Sequence, residues 1–151
     1  MDSADGAWLT PRQILGGLRA ALRAERQAIA DYRAHAAGVQ VSETREAFEA
    51  LADVEAGHAA RLAARLTDLG EPPSGSLSLP QAAGTGLAEW LASDLKGEQW
   101  AIGEYARLVS WILDDEATVE LMTELLVDEI RHAAWLRSAL RSAATGPGGA
   151  A

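Results

Sequence analysis

Cysteine is absent from this chain, which excludes disulfides, zinc-thiolate sites, iron–sulfur clusters and thiol nucleophiles together. Positive charge is also scarce: 13 Lys and Arg face 22 Asp and Glu, for a net charge of −9 and a sequence pI near 4.7. Such a balance offers no basic surface to a phosphate backbone or an anionic bilayer, so neither nucleic acid nor membrane is expected as a partner. Metal cations suit it better. Residues 1–8 carry acidic side chains and no apolar run, so they do not read as a signal peptide, and no later stretch is long and apolar enough to span a bilayer. The expected compartment is the cytoplasm. With 151 residues, 48% of them hydrophobic, the chain is sized for one domain, residues 1–151, with a real core.

What is present is helical periodicity. Thr10, Pro11 and Gln13 combine an N-cap, a proline in the first turn and a glutamine three residues after the cap, which marks a helix start. The first helix, α1, is expected from Pro11 to Gly38, with Leu15, Leu18, Leu22, Ile29 and Tyr32 along one face. Ser42 is the expected cap of α2, which carries Phe48, Leu51, Leu62, Leu66 and Leu69 on one stripe and stops near Gly70. A Pro-, Gly- and Ser-rich connection over 71–86 follows. Helix α3 is expected over about 85–112, and Asp114 and Asp115 supply a tight turn and a cap into α4, which runs to about Ala143. Flexible ends are expected: the N-terminal segment and the glycine-rich tail. The fold class is therefore all-α, a four-helix bundle with one long crossover between α2 and α3.

The two halves of the chain repeat. Glu25, Ala28, Ile29 and Tyr32 in α1 match Glu98, Ala101, Ile102 and Tyr105 in α3. Glu55, His58, Leu62 and Leu66 in α2 match Glu129, His132, Leu136 and Leu140 in α4. A glutamate and a histidine three residues apart lie about 60° apart around a helix axis, so both can point at one place. Phe48, Leu51, Leu62 and Leu66 fall within about 40° of Glu55 at 100° per residue, which puts the charged pair in the apolar stripe. Glu25 and Glu98 sit in their own stripes in the same way, and similar distances from the two short turns bring all four carboxylates to one level. Four unpaired carboxylates in one core are untenable, since an isolated buried charge costs several kcal/mol even after relaxation. No lysine or arginine stands on these stripes, whereas two divalent cations would balance four carboxylates, with two neutral imidazoles as further donors. Oxygen and nitrogen ligation without sulfur suits iron or manganese, with zinc also open.

A single glutamate followed by E-x-x-H, repeated once across a crossover bundle, is similar to the pattern of the ferritin-like superfamily, including bacterioferritins and rubrerythrins. The resemblance covers about residues 11–143. It implies a di-iron centre in which Glu25 and His58 bind one metal, Glu98 and His132 the other, and Glu55 and Glu129 bridge them. It also implies that Tyr32 and Tyr105, one heptad after the single glutamates, hydrogen-bond to ligand carboxylates. Helix α4 runs into a glycine-rich tail with no fifth helix, which argues against a storage shell. The cysteine-ligated iron domain usual in rubrerythrins is missing, so any electron donor is a separate molecule. A bacterioferritin-type haem needs a methionine directly after the first bridging glutamate; Ala56 stands there, and no haem is expected. The rubrerythrin-type extra glutamate is replaced by Leu95. Asp94, one turn before Glu98, breaks the repeat and is a candidate outer partner for a histidine ring nitrogen.

His35 lies ten residues beyond Glu25, too far to reach the same metals, and reads as a surface or internally satisfied histidine. Trp100 and Trp111 project about 160° and 140° from Glu98. The outer face of α3 is therefore the expected homodimer contact, the alternative being that the 71–86 connection covers both indoles within one chain. The resemblance implies an oxidoreductase acting on O2 or hydrogen peroxide, as a rubrerythrin-like peroxide reductase or a ferroxidase. A di-iron oxygenase for a small organic substrate, and a non-enzymatic bundle that uses metals only to hold its helices, are the alternatives.

Overall fold

A computed structural model of the chain describes residues 8–73, 75 and 77–146. Its four helices are α1 (Pro11–Gly38), α2 (Ser42–Asp68), α3 (Leu87–Trp111) and α4 (Glu116–Thr145). Most of the N-terminal segment, and the tail beyond Gly146, lie outside the described residues. The start of α1 is a reciprocal capping box: Gln13 N donates to Thr10 Oγ1 at 3.2 Å, and Thr10 N donates to Gln13 Oε1 at 2.9 Å. Two of the orphan amides of the helix start are thereby satisfied, and Pro11 has no N–H to satisfy. Asp115 caps α4 by accepting from Thr118 N at 3.0 Å. Arg65 Nη2 donates to the same carboxylate at 2.7 Å. Although partial burial pushes the Asp115 carboxyl up, the Thr118 and Arg65 contacts hold it below its usual value.

Ser42 does not cap α2. It is the first helical residue, and Val41 occupies the cap with no side-chain hydrogen bond. The boundary moved by one residue because Val39 and Val41 continue the extended chain, while Arg45 Nη2 reaches back to Val39 O at 2.9 Å to close the turn. Helix α3 likewise starts at Leu87, since Thr85 N is held outside it by Glu89 Oε2 at 2.9 Å.

The crossover runs alongside α1. Glu71 pairs with Arg19, Arg26 Nη1 donates to Gly75 O at 3.3 Å, Gln27 Nε2 donates to Leu79 O at 2.8 Å and Gln81 N donates to Asp31 Oδ1 at 2.8 Å. These partners advance along α1, so the connection climbs the length of the bundle and delivers α3 at the end where α1 finishes. Helix α3 therefore runs antiparallel to α1. The two approach closely where Gly17 faces Leu108, since a Cβ at Gly17 would come within 2.6 Å of Leu108 Cδ2. At the opposite end Gly38 lies under Trp90 in the same way.

The interior is layered. One apolar layer joins Leu18, Leu22, Leu62, Leu66, Leu108 and Leu125. The other joins Tyr32, Phe48, Leu51, Leu91 and Leu136. Between them lies a polar stratum. The buried face of α1 is turned slightly from the expected one, with Ile14 buried and Leu15 only partly; α3 buries Leu91, Asp94, Glu98, Ala101, Tyr105 and Leu108, leaving Leu95 and Ile102 half-buried. Among the described residues, no helix is long and apolar enough to cross a membrane.

Candidate metal centre

Each helix contributes its glutamate to the polar stratum from the middle of its buried face. Glu25, Glu55, Glu98 and Glu129 are buried, as are His58 and His132. All six residues expected to ligate metal are brought together. His58 Nδ1 lies 2.9 Å from Glu129 Oε1, 3.0 Å from Glu55 Oε2 and 3.6 Å from Glu25 Oε1. His132 Nδ1 lies 2.9 Å from Glu55 Oε1, 3.7 Å from Glu98 Oε1 and 4.0 Å from Glu129 Oε2. Glu55 and Glu129 therefore turn one oxygen toward each histidine. The imidazole rings face each other at 6.2 Å with planes 22° apart.

The donors fall into two sets, Glu25, Glu55, His58 and Glu129, and Glu55, Glu98, Glu129 and His132; within each set they lie within 4.8 Å of one another. Glu55 Oε2, His58 Nδ1, Glu98 Oε2 and Glu129 Oε1 are buried without a hydrogen-bond partner. Close approach without hydrogen-bond alignment is what donors aimed at a common cation show, whereas a structural polar network would satisfy itself. The residues fit two divalent cations of the oxygen- and nitrogen-binding kind.

Without cations, protons must do the neutralising. Burial and the neighbouring Glu55 push Glu25 up to about 8. Burial, with Glu98 and the other carboxylates adding to it, pushes Glu129 up to about 11, although His58 opposes. Burial also acts on Glu55, but contacts with His132 and His58 outweigh it and hold that carboxylate below its usual range. Desolvation opposes charge on the histidines as well, yet the carboxylates prevail: Glu55 and Glu98 carry His132 up to about 9, and Glu129, Glu25 and Glu55 raise His58.

Tyr32 donates to Glu98 Oε1, and Tyr105 donates to Glu25 Oε1 at 2.5 Å. Burial and the adjacent carboxylate hold both phenols above their usual value, so each keeps its proton as a donor. Both tyrosines therefore touch ligand candidates. Asp94 does not: its Oδ2 lies 2.8 Å from Nδ1 of His35, which is itself buried, stacked on Trp90 at 5.2 Å and edge-on to Phe48 at 5.7 Å. Asp94 serves a histidine, but not one of the metal-facing pair, and His35 is an interior residue satisfied by it. Asp128 was missed at the sequence level. Its Oδ2 lies 3.0 Å from His58 Nε2. The available signal was its place directly before Glu129, on the flank of the E-x-x-H stripe.

A cavity of about 320 Å³ between α1 and α3 leads from the exposed Gln81, Lys96 and Trp100 to the buried Glu98 and Glu129. Trp100 and Trp111 are on the outer face of α3, 47% and 44% exposed. Trp8 meets Trp111 edge-on at 6.3 Å, and the crossover leaves Trp100 half open.

The family model for the ferritin-like domain matches residues 15–144. The chain belongs to the ferritin-like family. Among solved structures of this fold, Rhodobacter capsulatus bacterioferritin, described with a metal-free dinuclear site and a haem iron, is similar at a TM-score of 0.81 and 26% identity, over 91% of this chain and 90% of that one. A dodecameric thioferritin, the bacterioferritin-related protein from Bacteroides fragilis, is similar at a TM-score of 0.79 and 22% identity, over 93% of this chain and 90% of that one. No curated protein matches the sequence. The ferritin-like fold explains the shared level of the ligand candidates, because its two hairpins are related by a pseudo-two-fold axis that exchanges Glu25 with Glu98 and His58 with His132.

Proposed function

We propose that this ferritin-like chain holds two iron ions and is an oxidoreductase that uses O2 or hydrogen peroxide as oxidant, with ferrous iron as its leading substrate. The observation that carries the reading is that Glu55 and Glu129 each present one oxygen to each histidine, the disposition required to span two cations. A pair of ferrous ions held by these six residues would supply two electrons, one from each ion, to an O–O bond. The protein's own part is positioning. Tyr32 and Tyr105 fix Glu98 and Glu25 by hydrogen bonds to their Oε1 atoms, the same oxygens that lie 3.7 Å from His132 Nδ1 and 3.6 Å from His58 Nδ1. The apolar layers on both sides keep water from the ligands, while the cavity between α1 and α3 gives a small oxidant and incoming cations a route. Peroxide reduction is a second use of the same centre and draws its electrons from a separate donor, since the chain has no cysteine to bind an iron relay.

The test is to add ferrous iron under air to the metal-free protein while following near-ultraviolet absorbance and oxidant consumption. Saturable consumption that disappears in Glu129→Ala supports the reading. Uptake of two ions without oxidant consumption would assign the metals a holding role. The cavity also favours an oxygenase reading, as it is large enough for a small organic molecule beside Glu98 and Glu129; oxygen incorporation into such a molecule would separate that activity from iron oxidation. We further propose a homodimer through the outer face of α3, where a second copy would cover Trp100 and Trp111.

A further inference from the structure

The pseudo-two-fold relation can be followed contact by contact. Tyr105 donates to Glu25, and its mate Tyr32 donates to Glu98. His58 Nδ1 approaches Glu129 at 2.9 Å, and its mate His132 Nδ1 approaches Glu55 at 2.9 Å. One rung is missing. His58 Nε2 is paired with Asp128 at 3.0 Å, whereas the residue directly before Glu55, the mate of Asp128, is Val54. Among the described residues nothing pairs with Nε2 of His132. The broken rung is also the more open side, since His132 is 8% exposed and His58 3%. Asp128 is in turn steadied by Arg131 Nη1 at 3.6 Å, whose mate is Gly57.

A carboxylate on the far nitrogen of a ligating imidazole keeps the proton there, so that the near nitrogen presents its lone pair to the metal. It also fixes the ring's orientation and raises its basicity. Val54 can do none of these. We infer that the two cation positions are unequal: the one built by Glu25, Glu55, His58 and Glu129 fills first and holds its ion, and the one built by Glu55, Glu98, Glu129 and His132 is the exchangeable position. Asp128 is the positioning residue that sets the difference. The inference rests on the two-metal reading above and extends it to order of loading: the ion at the His132 position is the one that leaves and is replaced.

Anaerobic titration of the metal-free protein with Co2+, followed by d–d absorption and by calorimetry, tests this without any turnover. The wild type is expected to bind two ions in two steps separated by about 10–100-fold, the usual effect of such an outer carboxylate. Asp128→Val, which makes the halves alike, should weaken the first step by about that factor and merge the two. Asp128→Asn keeps an acceptor at the ring and should recover part of the gap. Val54→Asp, at a position already 39% exposed, should tighten the second step instead, and it keeps the test open if Asp128→Val folds poorly. Two ions bound in one indistinguishable step by the wild type, or an unchanged gap in folded Asp128→Val, overturns the inference and leaves the two-metal reading standing. Failure to bind two Co2+ ions at all overturns both.

Discussion

In the metal-free protein, replacing Glu25 with glutamine deletes a ligand candidate, yet it should raise stability at neutral pH. Glu25 is 2% exposed and its carboxyl is raised from 4.5 to about 8 by burial, with Glu55 adding to it. At pH 7 the folded chain must therefore hold a proton that the unfolded chain has released. Holding it costs about 1.4 kcal/mol for each pH unit above the unfolded value, or about 3 kcal/mol at pH 7. Because the folded value is the raised one, the support Glu25 lends to folding is complete below the unfolded value, near 4.5, and is lost as pH climbs to about 8. Glutamine imitates the protonated acid: its carbonyl accepts from Tyr105, its amide can donate toward Glu55, and it does not titrate. The advantage of Glu25→Gln should be under about 1 kcal/mol at pH 5, about 3 kcal/mol at pH 7, and nearly level above pH 8. For a chain of this length that is a rise in Tm of roughly 6–12 °C at pH 7. Circular-dichroism melts of chelator-stripped wild type and variant at pH 5, 7, 8 and 9 measure it. An advantage that is absent at pH 7, or constant from pH 5 to 9, would refute the reasoning. With cations supplied the order should reverse, because the wild type then gains binding energy that the variant lacks.

Purified protein loaded anaerobically should carry two metals per chain by elemental analysis, and Glu55→Ala should weaken both, since its two oxygens face the two histidines; full retention of both would remove the bridging assignment. Thr10→Ala removes the Oγ1 acceptor of the α1 capping box, leaving the backbone N–H of residue 10 on Gln13 Oε1, and should cost about 1 kcal/mol in denaturant unfolding with metal content unchanged; a loss below about 0.3 kcal/mol would mean that the Gln13 half caps the helix alone. For the proposed dimer, the double variant Trp100→Glu, Trp111→Glu should be monomeric by light scattering with its metals retained. A wild-type monomer at micromolar concentration rules that interface out.

The set of ligand candidates is legible in the sequence because its signal is redundant. Each E-x-x-H is weak alone, but its repetition, and the location of all four glutamates inside apolar stripes, leaves little freedom in where the side chains converge. The same holds for the long crossover and for the caps at Thr10 and Asp115, which depend on residues close in sequence. What the sequence by itself determined, then, is the helices, their order and the six residues facing inward. Tertiary structure alone decided the pairings between helices. Asp128 lies on the flank of its stripe, where periodicity assigns it to solvent, and only the approach of α4 to α2 brings it to His58. In the sequence Asp94 is a candidate partner for an unspecified histidine and His35 a surface or internally satisfied one, and only antiparallel α1 and α3 set them against each other beside Trp90. The physical reason is that hydrophobic periodicity records which side of a helix avoids water. The rotation and height of one helix against the next are set by how side chains interlock, as Gly17 does beneath Leu108 and Gly38 beneath Trp90.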